Sequence, residues 1–199
     1  MKTTAPDASA SGPRCLEAAV DDRLRRAAVR RLATGVTVLT AVHGDRVHGT
    51  TASAVTAVSR DPLLICVCLR TGSAFAELAA QAGRFAVNVL SDRQAPIADW
   101  FADPDRPAGY GQFAPVDWEP DPDSGAPLLR GAVAWLDCRP TASHPGGDHS
   151  ILLAEVLCGS AGVGGPLLGF DSRLHGVELR DVARRRAPAT AAAGITTLD

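Results

Sequence analysis

An excess of charge of either sign is missing from this sequence. Its 20 Lys and Arg face 22 Asp and Glu, leaving a net charge of −2. That balance gives no electrostatic footprint for nucleic acid or for an anionic membrane surface. The one basic run, Arg184-Arg185-Arg186, lies in an Ala/Pro-rich stretch and reads as solvated. Long apolar runs are also missing. Nothing approaches the roughly 18 consecutive apolar residues that span a bilayer. The opening MKTTAPDASASGPR lacks the apolar centre of a signal peptide. A cytoplasmic protein with no membrane partner is expected.

Cysteine is sparse and odd in number. Five cysteines in a chain of 199 residues do not make a disulfide framework. Cys66 and Cys68, two apart on an expected strand, point to one face and read as small buried hydrophobes. Nothing beside them has zinc spacing. Histidines 43, 48, 144, 149 and 175 are scattered, and no pair has helical metal-ligand spacing. No metal site is expected.

Familiar catalytic signatures are lacking too. There is no P-loop and no Gly-x-Ser-x-Gly elbow. Gly162-Val163-Gly164-Gly165 is followed by Pro166 and an extended run. The dinucleotide fingerprint requires a helix there, so a Rossmann site is excluded.

What the chain does have, at 46% apolar residues, is the material for one globular domain. Residues 20–180 are expected to form it, between a disordered leader (1–19) and a disordered tail (181–199). Periodicity predicts a helix over 21–34, with Val20, Leu24, Ala27, Ala28 and Leu32 on one face and Gly35 as its stop. Strands are expected at 36–43 and from Val47 onward, joined by a turn at Gly44-Asp45-Arg46. The apolar run 63–69 reads as a strand buried on both faces. Ser73 is placed to cap a short helix that ends at Gly83. A strand at 84–90 and a short helix at 94–101 follow. The Pro/Asp/Gly-rich residues 102–125 read as a long loop. Residues 131–140 and 149–160 form a long hairpin around SHPGGD, and 166–179 adds a last extended piece. Six or seven strands and two or three short helices make a mainly antiparallel β-barrel with peripheral helices.

One stretch stands out chemically. Residues 48–59, HGTTASAVTAVS, carry five hydroxyl side chains among alanines and valines. Extended backbone is favoured there. Small side chains let a flat ligand approach the peptide groups, which pair with a heteroaromatic edge. Plain sheets also contain such runs, with Thr and Ser lining a solvated face. Downstream, Ser73 sits at a helix start suited to phosphate. Arg70 and Arg84 offer the charge-assisted contacts that phosphates favour. Each arginine, taken alone, also fits a solvated loop.

The segments ATGVTVLTA (33–41), HGTTASAVTAVSRDPLLICVCL (48–69), SAFAELAAQAGRFAVNVL (73–90), GAVAWLDCRP (131–140) and GGDHSILLAEV (146–156) together resemble the flavin reductases of two-component flavin-dependent monooxygenases. The resemblance runs in order over residues 20–180. It implies an FMN-binding split barrel acting as a homodimer. The implied reaction is hydride transfer from NADH or NADPH to FAD or FMN, with the reduced flavin released to a separate monooxygenase. NADH is expected over NADPH, because no basic cluster placed for a 2′-phosphate can be read. By the same resemblance, Thr51, Ala52, Ser53 and Ala54 would line the isoalloxazine edge. Ser59, Cys68 and Leu69 would follow the ribityl chain, and Ser73, Arg84 and Phe85 the phosphate. His149 would sit by the nicotinamide. Two positions depart from the family pattern: Thr50, where Met or Phe is common, and Cys68. The residues alone leave two rivals open, a non-catalytic flavin- or haem-binding split barrel and a flavoenzyme that retains its flavin.

Overall fold

A computed structural model describes residues 22–180; the expected leader and tail lie outside the described residues. In chain order the elements are α1 (Asp22–Val29), β1 (Thr34–Gly35), β2 (Thr37–His43), β3 (Arg46–Ala52), β4 (Val55–Arg60), β5 (Leu63–Arg70), α2 (Ala74–Ala82) and β6 (Phe85–Val89). Then come α3 (Ala95–Ala102), a 3-10 turn (Gly109–Phe113), β7 (Trp118–Pro120), β8 (Pro127–Leu129), β9 (Ala134–Gly146), β10 (His149–Ala161), β11 (Leu167–Phe170) and β12 (Arg173–Gly176).

Seven strands form one antiparallel sheet in the order β3-β2-β6-β9-β10-β5-β4. The two edge strands, β3 and β4, are consecutive in sequence and separated only by Ser53 and Ala54. So short a link cannot cross a flat sheet of seven strands about 4.8 Å apart. The sheet must therefore roll until its edges approach, which makes a barrel open along one seam. The link itself extends the β4–β5 ladder, where the Cys68 N–H donates to the Ala54 carbonyl at 2.9 Å. This is the antiparallel split barrel with peripheral helices that the sequence led us to expect.

Two apolar clusters hold it. Leu39, Ile65, Val67, Leu69, Phe85, Val87 and Leu152 fill the barrel, and α2 closes it with Phe75, Leu78 and Ala79. The Phe75 and Phe85 rings meet edge to face with centroids 5.7 Å apart, a geometry worth roughly 0.5–1.5 kcal/mol beyond burial. Gly83 ends α2 in the left-handed conformation at φ 70°, its N–H donating to the Ala79 carbonyl. Outside the barrel, Val38, Val47, Leu90, Leu129 and Leu167 pack against Phe101 of α3 and Phe113 of the 3-10 turn.

The structure corrects several expectations. The first helix stops at Val29, and none of its residues is buried. Thr34 and Gly35 pair instead with Gly169 and Leu168 of β11, so strand pairing ends the helical reach before Gly35 can cap it. The hydroxyl-rich stretch is two strands, not one, because the seam falls at Ser53-Ala54. β5 alternates: Ile65, Val67 and Leu69 are buried, whereas Leu64, Cys66 and Cys68 are only half-buried, since its second face lies toward the outside of the barrel. The long loop contains the 3-10 turn and β7. There are twelve strands among the described residues, the five extra ones forming a small three-stranded sheet, β1-β11-β12, and the pair β7-β8.

Candidate functional site

Elements distant in sequence meet at the seam. A cleft of about 310 Å³ is lined by Thr50 to Ala54 at the end of β3, by Cys68, Leu69 and Arg70 at the end of β5, by Ser73 before α2, and by His149 at the start of β10. β5 and β10 are paired so that His149 lies opposite Arg70 and Ser150 opposite Leu69. The tight turn before β10 is tied to the turn before α2, where the Thr71 N–H donates to the Asp148 carbonyl at 3.0 Å. The β3 end, the α2 start and the His149 turn thus sit on one connected frame.

Within the cleft the residues play unequal parts. Ala52 and Leu69 are buried with their side chains in the barrel core, so only their backbones reach the cleft wall. The Thr51 hydroxyl donates to the Ala98 carbonyl at 2.7 Å and fastens β3 to α3. Ser53 and Ala54 are exposed. Ser73 has the extended backbone of a helix cap, yet its side chain makes no capping bond among the described residues, leaving the hydroxyl available. The N–H groups of the first turn of α2 have no partner within the helix itself and point toward this end. Arg70 is exposed beside them. A planar polar ring edge against the Thr51–Ser53 peptides, with an anion near Ser73 and Arg70, fits this donor set.

His149 is partly exposed, and its Nδ1 lies 2.8 Å from Asp148 Oδ1. This bond, with the attendant charge, holds the Asp148 carboxyl below its ordinary range. A carboxylate beside Nδ1 assigns a proton to that nitrogen and fixes the orientation of the ring.

Three of the expected site residues lie elsewhere. Ser59 is five residues beyond Ala54 along β4, a rise of about 16 Å, and pairs with Leu64. Phe85 is wholly buried against Phe75, so its ring cannot face a ligand. Arg84 stands beyond the far end of α2 from Ser73, and the nine residues of that helix alone span roughly 14 Å at 1.5 Å per residue. Its guanidinium is bound to Asp137 and lies near Asp123. Arg70 is the arginine that lines the cleft. Thr50 also lines it, at the position where the sequence departs from the family pattern. Cys66 points the same way as Cys68 but lies one pleat farther from the cleft; burial and the neighbouring Cys68 thiol push its own thiol up.

A cavity of about 360 Å³ lies against α1, and two further cavities are also larger than the cleft. One of about 370 Å³ shares Thr51 and Ser53 as a wall and extends to Arg30, Asp99 and the β11–β12 turn. The other, of about 590 Å³, lies between Ser91–Gln94 and Gly164 and includes none of the expected site residues. Among the described residues, no group of three or more His, Cys, Asp or Glu is arranged to hold a metal ion, and no helix is long and apolar enough to cross a membrane.

Comparison with known proteins gives the cleft its context. Residues 29–178 match the family described as flavin reductase like domain. The chain is 48% identical over 182 residues to an NADPH-flavin oxidoreductase of Streptomyces viridifaciens, covering 90% of this chain and 92% of that one. The crystal structure of BorF, the flavin reductase component of a bacterial two-component tryptophan halogenase, superposes with a TM-score of 0.74. It is 35% identical, with 80% of this chain and all of that one covered. NADH:FAD oxidoreductase SgcE6 of Streptomyces globisporus, in complex with NAD and FAD fragments, superposes with a TM-score of 0.71. It is 34% identical, with 85% and 95% covered.

Proposed function

The chain belongs to the flavin reductase-like domain family, and on that premise we propose that it is an NAD(P)H:flavin oxidoreductase. It moves hydride from a reduced nicotinamide nucleotide to FAD or FMN and releases the reduced flavin to a separate monooxygenase. The observation that carries this reading is the meeting of the β3 end, the α2 start and the His149 turn on one cleft.

The hydride chemistry belongs to the flavin and the nicotinamide. The protein's part is to hold them. The exposed peptides and hydroxyls from Thr51 to Ser53 take the polar edge of the ring and offer fixed dipoles where negative charge grows. Ser73, the first turn of α2 and Arg70 take the phosphate. His149, oriented by Asp148, stands across the cleft and sets the nicotinamide within the roughly 3–3.5 Å needed for transfer. No side chain has to act as a strong acid or base, which accounts for the lack of a catalytic dyad in the sequence.

We propose further that the protein works in the cytoplasm as a homodimer. Support comes from α1, whose Leu24 and Val29 are about two-thirds exposed or more, as is Leu32 just beyond it. Exposed apolar side chains on and just beyond a short helix suit a covered position. Relatives named for both NADPH and NADH occur, so either nucleotide is admitted. The deciding assay is nucleotide oxidation by purified protein with and without added flavin. Oxidation of NADH or NADPH that requires FAD or FMN is expected; loss with neither nucleotide would overturn the reading. A protein that stays yellow through dialysis would instead be a flavoenzyme that keeps its flavin.

A further inference from the structure

β3 is an edge strand, and an edge leaves a row of N–H and C=O groups without a neighbouring strand. Part of that row is occupied by the loop of residues 103–116. Gln112 is 1% exposed. Its side-chain carbonyl accepts the Gly49 N–H at 2.8 Å. Its amide donates to the Val47 carbonyl at 3.1 Å and to the Gly109 carbonyl at 2.8 Å. A carboxamide is chemically a peptide group. Here it takes the N–H and C=O of residues two apart, as one residue of a parallel neighbouring strand would. Arg106 donates to the remaining group, the Gly49 carbonyl, with its guanidinium 5.8 Å over the Phe101 ring. The Trp100 ring N–H holds the Gln112 backbone carbonyl at 2.7 Å. Gly49 lets α3 and the loop sit this close, for a Cβ there would come 2.6 Å from the Phe101 ring and 3.2 Å from the Phe113 ring.

Backbone groups alternate sides along a strand. Val47 and Gly49 face away from β2, and Thr51 is the next residue to do so. Thr51 is also the first of these outward-facing residues to line the seam cleft. We propose that Gln112, with Arg106, is a positioning pair for the flavin ring. The pair completes the β3 ladder as far as Gly49 and stops, so that the peptide of Thr51 is the first free rung and the ring edge continues the ladder from there. This rests on the flavin reductase reading above. Gln112 touches no ligand. It acts by fixing where along β3 the ligand begins.

Two measurements test it. In the flavin-free protein, amide hydrogen exchange should find the Gly49 N–H protected and the Thr51 N–H exchanging at least about tenfold faster. Adding FMN should then slow Thr51 and leave Gly49 unchanged. A Thr51 amide already protected without flavin, or one indifferent to it, overturns the proposal. The second measurement is the kinetics of Gln112→Met, which keeps the volume and removes all three side-chain bonds. The KM for riboflavin and for FMN should rise together, by about tenfold, because the ring and not the phosphate is displaced. The KM for NADH should stay within about twofold. A lowered melting temperature with flavin constants unchanged would make Gln112 merely structural. If the variant does not fold, the exchange measurement on wild type decides. Absence of flavin-dependent nucleotide oxidation in wild type is a different result and would overturn the parent reading instead.

Discussion

Arg84 and Asp137 form a two-pronged ion pair across 53 residues of chain, with Nε donating to one carboxylate oxygen at 3.3 Å and the terminal amine to the other. The Asp137 side chain is only 4% exposed. A carboxylate so placed needs a partner, and Arg84 supplies it from the end of α2 remote from Ser73. Arg84→Ala should therefore destabilise the fold by about 1–3 kcal/mol, less than for a fully buried pair because Arg84 keeps some water. Denaturant midpoints would measure this. The ratio of KM values for FMN and riboflavin should not move; a selective loss of FMN would return Arg84 to the phosphate site.

Arg70, beside Ser73 on the cleft wall, carries the complementary prediction. Arg70→Ala should raise the KM for FMN and FAD by about tenfold and spare riboflavin, which has no phosphate. The effect should shrink as salt rises, because an exposed ionic contact is screened. Equal losses for FMN and riboflavin would show that Arg70 shapes the cleft without meeting the phosphate.

Ser53 is exposed at the seam and lines both neighbouring clefts. Ser53→Val removes a hydroxyl without disturbing a core contact. Flavin affinity should fall by roughly 1–3 kcal/mol, about ten- to a hundredfold, with stability nearly unchanged. Fluorescence titration with FMN checks this, and an unaltered dissociation constant would place the ring away from Ser53.

His149 and Asp148 make a linked prediction. His149→Ala should raise the KM for NADH and lower turnover, with flavin affinity nearly intact; orientation losses can reach about a hundredfold. Asp148 has a depressed carboxyl pKa, chiefly from the bond to His149. A depressed value means that the pair's contribution is present above the ordinary carboxylate pKa of about 3.9. It is lost only as pH falls through the still lower folded value. The Asp148 carboxylate should thus stay ionised at neutral pH. Asp148→Asn should raise the KM for NADH by a few-fold there, and an unchanged constant would mean that His149 is oriented by something else.

Much of this protein was readable in its sequence because the signals are local. The β-branched run over 36–43, Gly83 after a short helix, and the Gly-rich turn SHPGGD between two long strands each record a backbone preference set by neighbouring residues. The hydroxyl-rich stretch and His149 could be named from residue chemistry and from resemblance to a family. Tertiary structure alone decided which candidates share a cleft. Arg70 and Arg84 look alike in sequence; α2 sends them to opposite ends, and Asp137 claims one of them. Phe85 could have faced a ligand or the core, and the closing of the barrel over Phe75 chose the core. The break at Ser53-Ala54 follows from rolling seven strands until β3 nears β4. Gln112 reads as an ordinary polar residue in a Pro- and Gly-rich loop, yet its partner lies 63 residues away. Local propensity is written in spacing along the chain, whereas the choice of distant partners is made by packing and by the need to satisfy buried polar groups, which no short window of sequence contains.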